Sequence, residues 1–514
     1  MASFSIPLSG LSADSTELNT IANDLSNMNT TAFKAQTTNF SDLFYQQVGS
    51  TGSGNQIQVG DGAKVASNIT DYTQGTYNTS GTTSSDVALD GNGFFVLNNG
   101  GTNVLTRDGA FTQDSSGNLV SADGFEVMGY PAVNGVVNTS AALTPIATPV
   151  NGDTMQPQAT TSFGMTATLD SEATVGTTVT GEVPVYDSLG KSYEATVTYT
   201  KSGTDTWGYN ITMPDTLKST SATAGGSTTI TYNFGVSGGN VAGVDAGTNL
   251  TITGSTGAGT ATITAPAITA NETITQYAND LTTQLGLAGL GASVTVTPNA
   301  ATGVLTISGA GVSTSGSLIQ DPVASANTTG TLTFNANGDL VSPAADINGI
   351  TFAGLSDGAS GMSMTWNVLG TSNTPTISQA DATSATSSPT QNGYASGSYQ
   401  GFSVGSDGTV SATFSNGQTQ TVGQLALADV TNLQGLSLQG DGNYAITTAS
   451  GAATYGVSGT NGLGTIQDKS LEESNVNISA EFSQLIIAQR AFEANAKSVT
   501  TFDTVAQDTI NMVH

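Results

Sequence analysis

Cysteine is absent from the 514 residues, so disulfides, thiolate metal sites and a thiol nucleophile are all excluded. The one histidine, His514, is the last residue, where neither an orienting partner nor a pocket is expected, so the commonest proton shuttle is missing. Basic residues are scarce: 9 Lys and Arg face 38 Asp and Glu, for a net charge of −29. The cations are also scattered, whereas a phosphate-binding surface needs them clustered, so nucleic acid is excluded as a partner. No apolar run reaches transmembrane length, and no membrane insertion is expected. The opening MASFSIPLSGLSADS has no basic stretch followed by a continuous apolar one, so it is not an ordinary secretory signal. Asp61, Asp90, Asp108, Asp187 and Asp441 suit turns through their side-chain hydrogen bonds. None of these loops has the spacing of a calcium loop, and GNGFF lacks the setting of a phosphate-binding loop. The sequence thus offers no catalytic residue, no metal site and no cofactor, and enzymatic function is not expected.

Against these absences stand two heptad patterns at the two ends of the chain. Residues 471–513 contain neither Gly nor Pro in a chain with 63 Gly. Ile478, Leu485, Phe492, Val499, Ala506 and Val513 recur every seven residues, and Phe482, Ala496 and Ile510 lie four after members of that row. Such 3-4 spacing makes one apolar seam on a helix, and a seam held to period seven wraps around a partner helix. A helix of this length is a rod roughly 60 Å long that cannot bury its seam alone. Residues 9–29 repeat the pattern: Leu11, Leu18 and Leu25 form one row, Ile21 and Met28 the other, with Asp14 as its polar first member. The economical expectation is that the two ends pair, that the β-rich residues between them are an excursion, and that apolar surface is left over for other copies.

That excursion reads as many short strands. Residues 31–70 put Phe33, Phe40, Leu43, Phe44 and Tyr45 beside a Gly/Ser turn region and suggest an extended linker. From 71 to 145, short apolar runs such as FFVL and FEVMGY alternate with Gly/Asp/Asn turns, as in sandwiches and hairpin stacks. Residues 215–330 carry six charges in 116 residues and alternate as strands around one predicted helix at 273–285, which suggests an inserted outer β domain.

Specific blocks carry a resemblance. SGLSADSTELNTIANDLSNMNTTAFK resembles the N-terminal signature of the bacterial flagellar rod and hook family. DGNGFFVL, LTRDGAFTQDSSGNLVSADGFEVMGYPA and LEESNVNISAEFSQLIIAQRAFEANAKSV are similar to later blocks of that family. Asp24 and Ala32 depart from it, standing where Asn and Gly are usual; the second puts a tight turn in doubt. VYDSLGKSY, TLTFNANGDL and the block from QNGYASG to NLQGL resemble hook-type members, with Asn392 where Asp is usual.

The resemblance implies a structural subunit that self-assembles into a flexible helical tube, the universal joint carrying motor torque from rod to filament. A distal rod subunit and a non-flagellar β-rich adhesin are the alternatives. Implied partners are many copies of the same chain, rod and hook–filament junction proteins, a hook cap and the flagellar type III export apparatus. The implied location is extracellular, in the flagellum, reached without a cleaved signal peptide, with Phe4 and Leu8 matching an F-x-x-x-apolar export motif. The expected fold is multidomain α+β, with paired terminal coiled-coil helices and nested, mostly antiparallel β domains. The expected boundaries are 1–30 with 471–514 (helical), 31–70 (linker), 71–145 with 375–470, 146–214 with 331–374, and 215–330. The two heptad seams are the expected polymerisation surface.

Overall fold

A computed structural model describes residues 4–50, 52–53, 56–80, 83–216, 219–224, 227–233, 251–256, 259–266, 273–300, 304–315, 319–320, 323–324, 327–353, 355, 357–370 and 373–512. Among them the chain is mostly β, with three α-helices: α1 (Ser5–Ser26), α2 (Ile274–Leu287) and α3 (Ile478–Met512). It divides into two compact units, one of residues 1–153 with 398–514 and one of residues 154–397.

In the first unit, α1 lies against α3 on one side and against an antiparallel ladder on the other, formed by strands Gln36–Asp42 and Ala63–Thr70. A second ladder, Tyr45–Ser50 with Gln56–Gly60, continues the same arm. Residues 31–70 therefore carry paired strands, not the extended connector that their weak periodicity suggests. Strand-to-strand hydrogen bonding needs no regular apolar pattern when little of the surface is buried.

The main sheet of this unit runs through Thr409–Phe414, Thr419–Leu425, Glu126–Val133, Phe94–Asn99, Thr102–Thr106 and Asn443–Ala445. The continuous run FFVL lies in its middle. Phe95 and Leu97 enter one core cluster and Phe94 and Val96 another, as expected when successive side chains point to opposite, equally covered faces. The chain returns as Thr465–Asp468 pairs with Val87–Asp90, and Leu471–Glu472 with Tyr77–Asn78.

In the second unit, one sheet is built around Ser162–Asp170, Met362–Asn367 and Ile347–Ala353 and another around Thr178–Tyr186, Ser192–Gly203 and Thr206–Thr212. Both contribute to one core. Alternation is strict along Ser192–Gly203, where Tyr193, Ala195, Val197, Tyr199 and Lys201 are buried in turn. The hairpin turn before it is set by Asp187, whose Oδ1 accepts the N–H groups of Leu189 at 2.8 Å and Lys191 at 3.0 Å. Asn392 suits its place because an amide both accepts and donates. Its Oδ1 takes Thr161 N–H and Ser162 N–H, and its Nδ2 donates to Thr161 Oγ1. Within residues 215–330, α2 starts on a Thr273–Gln276 capping box and packs on strands Ser227–Asn233, Val304–Ala310 and Val294–Asn299 around a core of its own.

Candidate assembly surface

The terminal helices meet through a polar and an aromatic contact. Asn495 Nδ2 of α3 donates to Asp14 Oδ2 of α1 at 2.8 Å. Phe4, just before α1, sets its ring edge-on to Phe502, with centroids 6.2 Å apart. The helices come close at Gly10, where an added Cβ would lie 2.6 Å from the Asn495 amide. Pro7 sits in the first turn of α1, where its missing N–H has no helical partner to lose.

The seam differs in detail from the expected one. On α3, Ala488 is buried and Asn495 and Phe502 follow at seven-residue steps, a row three residues after Leu485, Phe492 and Val499. Leu485, Val499 and Ala506 are half-buried. The row expected four residues later faces outward: Phe482 is 52% exposed and Ile510 62%, with Ala496 half-buried. Ile478 and Phe492 are exposed too, and Val513 lies outside the described residues. Polar Asn495 and Asp14 therefore occupy seam positions, and apolar Phe482 and Ile510 do not.

On α1, Ile21 is buried and Leu11, Leu18 and Leu25 are half-buried, while Leu8 is 61% exposed. Met28 is exposed and follows the helix end, in the turn after Asn27. Of the buried polar residues of α1, Asp14 meets α3, whereas Thr20 and Asp24 face the neighbouring ladder. Thr20 Oγ1 accepts from Thr38 Oγ1 at 3.1 Å, and Asp24 Oδ2 accepts Gln36 N–H at 2.8 Å.

Acidic groups accumulate along this contact. Burial pushes the Asp24 carboxyl up to about 6; the Gln36 N–H opposes this and Glu481 on α3 adds to it. Asp24 Oδ1 is buried with no hydrogen-bond partner. Burial also raises Glu481, and burial together with Asp14 raises Glu17. Arg490 and Lys497 on α3 point to solvent.

α3 begins at Ile478, seven residues later than the pattern from 471 suggests, leaving a helix of 35 residues. Asn477 stops it: its Oδ1 accepts the N–H groups of Ser479 and Ala480 at 3.1 and 3.2 Å, as an N-cap does. Asn477 followed by Ile-Ser-Ala-Glu is the legible signal for that start. Ala32 adopts φ 55°, so the turn usually given to Gly forms with Ala instead. The exposed apolar side chains on both helices give the surface its chemistry: it can bury area against other helices.

Three family descriptions match parts of the chain: Flagella basal body rod protein at residues 6–34, Flagellar hook protein FlgE/F/G D1 domain at 88–230, and Flagellar basal body rod FlgEFG protein C-terminal at 467–512. Over nearly its whole length the chain is similar to proteins named Flagellar hook protein FlgE. It is 30% identical to that of Treponema pallidum (strain Nichols) over 528 residues, 98% of each chain. To that of Escherichia coli (strain K12) it is 27% identical over 522 residues, 99% of each. To that of Salmonella typhimurium it is 27% identical over 525 residues, 99% of this chain and all of the relative.

Proposed function

Because the chain belongs to the flagellar hook protein FlgE family it is a structural subunit of the bacterial flagellar hook, and we propose that its terminal helices form the cohesive inner layer of the hook tube. The protein assembles as a homopolymer and is associated with the flagellum. The match to hook proteins along the full chain removes the distal-rod and adhesin alternatives.

The observation that carries the proposal is the unfinished apolar surface of α1 and α3. Leu8, Phe482, Ile486, Ile487 and Ile510 stay exposed beside a seam that α1 fills only in part. Burying such surface against neighbouring copies gains roughly 25 cal/mol per Å² before the entropy of ordering is subtracted. The expected polymerisation seam, Leu11, Leu18, Ile21, Leu25, Met28, Ile478, Phe482, Leu485, Phe492, Val499, Ala506, Ile510 and Val513, then does two jobs. Its half-buried members and Ile21 hold the pair together, and its exposed members meet other subunits.

The β units have closed cores and Gly/Thr/Ser-rich outer faces, which interlock little and slide at small cost. Firm contacts inside and yielding ones outside let a bent tube rotate about its own axis, the behaviour of a universal joint. The nested arrangement of domains belongs to this proposal, with paired strands at 31–70, the first β domain resuming at 398 rather than 375 because Ile377–Ala380 and Ala385–Gln391 pair with Ser162–Asp170, and the C-terminal helix starting at 478. So do coiled-coil pairing of the ends, rod and junction proteins as neighbours, the hook cap, and extracellular delivery by the type III apparatus without signal cleavage. Helices this marginal alone suit a chain that travels unfolded. Phe4 and Leu8 are the proposed export contact, available before Phe4 docks on Phe502.

Deletion of residues 500–514 tests the inner layer. It removes the Phe502 contact and should abolish polymerisation while the β units keep their thermal transitions. Normal tubes in electron micrographs of the truncated protein would refute it.

A further inference from the structure

Glu472 is 1% exposed and gathers three distant stretches of the first unit. Its Oε1 accepts Lys34 Nζ at 2.6 Å and Gly75 N–H at 2.9 Å. Its Oε2 has no hydrogen-bond donor and faces Arg107 Nη1 at 3.5 Å. Arg107 also donates to the carbonyls of Leu89 and Gly91, and Lys34 to that of Thr73. The backbone is laced at the same place: Ala32 N–H donates to the Glu472 carbonyl at 2.8 Å, and Glu473 N–H to that of Thr76 at 2.8 Å. Asn475 Oδ1 accepts Ala35 N–H, and its Nδ2 donates to the carbonyls of Asp71 and Thr73. Gly75 is required by proximity, since a Cβ there would collide with the Glu473 carbonyl.

The location gives this cluster its meaning. Lys34 follows α1, Glu472 precedes α3, and Arg107 comes just after the strand Thr102–Thr106 of the main sheet. We propose that Glu472 is the mechanical joint of the subunit, the group that locks both helix-bearing segments to the first β body so that twist applied to one is passed to the other. This rests on the hook-subunit reading. The physical basis is that a buried ion pair has almost no elastic range. Parting Lys34 from Glu472 leaves a charge in the interior without its counterion, an opening far costlier than stretching a solvated Gly/Ser connector. Lys34 and Arg107 share this one buried carboxylate, while Asp71 acts on Lys34 and Asp429 on Arg107 from beyond ion-pair distance.

The test uses full-length subunits in flagellated cells. Glu472→Gln removes the carboxylate that both cations share, whereas the double variant Lys34→Met with Glu472→Gln restores the native net charge of the site. Torsional compliance of the hook is read from tethered-cell rotation, and backbone exchange from deuterium uptake of isolated hooks. E472Q is expected to soften the hook roughly twofold or more and to speed exchange at 31–36, 73–76 and 471–477 but not at 94–106, with the double variant recovering much of the loss. Native stiffness in E472Q hooks overturns the proposal. So does exchange that rises equally at 94–106, since Glu472 would then serve overall folding. If E472Q builds no hooks, the same exchange comparison on the purified full-length chain decides. If the unaltered chain builds no hook, the functional reading fails, and the exchange pattern still judges the joint.

Discussion

Trp366 and Phe482 are both large apolar residues, and the fold treats them oppositely. Trp366 is fully enclosed in the second unit, stacked on Phe163 with ring centroids 6.2 Å apart and met edge-on by Tyr209 at 5.2 Å. Phe482 lies on the outside of α3, a helix of 35 residues whose one buried residue is Ala488. A β body with two packed sheets completes its core from its own chain. A helical pair has too few faces to do so, and its stability comes from what it packs against. The difference separates a body whose core its own chain closes from a helical pair that leaves apolar surface open.

The comparison breaks most readily at its strongest point. Trp366→Ala should cost about 3–5 kcal/mol in the second unit, through lost transfer energy and a residual cavity. Thermal unfolding of the full-length chain checks this, and a loss under about 1 kcal/mol would mean that the core is not closed around the ring. Phe482→Ala should do the reverse. It should leave monomer unfolding within about 0.5 kcal/mol of the parent while weakening polymerisation by about 1–2 kcal/mol per contact, seen as a raised critical concentration. A destabilised monomer that polymerises normally would put Phe482 in an internal core instead.

A third test concerns charge along the seam. The Asp24 carboxyl titrates at about 6 in the folded chain, above its ordinary value of 3.8, so the folded state holds the extra proton between those limits. Contact of α1 with the ladder and with α3 should therefore strengthen as pH falls from 7.5 to 5, and the gain should be complete below about 4. Glu481 and Glu17 are raised in the same direction and add to it. Asp24→Asn should flatten the profile, as measured by helical circular dichroism or by exchange in α1. A profile as steep as that of the parent would assign the effect to other groups. The smallest effect is expected at Ala32, held at φ 55°. Ala32→Gly should relieve roughly 0.5–1 kcal/mol of backbone strain, partly offset by the freer unfolded chain, and raise the unfolding midpoint slightly.

Much of this molecule could be read from residues in order, because the features concerned are periodic or local. The seven-residue repeats located both terminal helices, short apolar runs between Gly/Asp/Asn turns located strands such as Phe94–Asn99 and Glu126–Val133, and Asp187 does sit in a turn. The seam of α3 was legible as a seam but not in its handedness about the helix. Rows three and four residues from Leu485 both hold apolar groups, and spacing alone does not say which one meets a partner. Asp24 looked like a minor departure from a family pattern, and its burial depends on a ladder that weak periodicity concealed.

The sequence by itself determined that the chain has helical ends around a β-rich body, carries no cysteine and one histidine, and resembles axial flagellar proteins, since composition, period and motif are properties of the chain in order. The tertiary structure alone decided that residues 471–477 leave the helix to close on Lys34 and Arg107, and that Asn495 meets Asp14 while Phe482 is left outward. Those outcomes depend on which distant segments arrive at the same place. Desolvation and charge pairing act between neighbours in space, and their strength has no signature in local order.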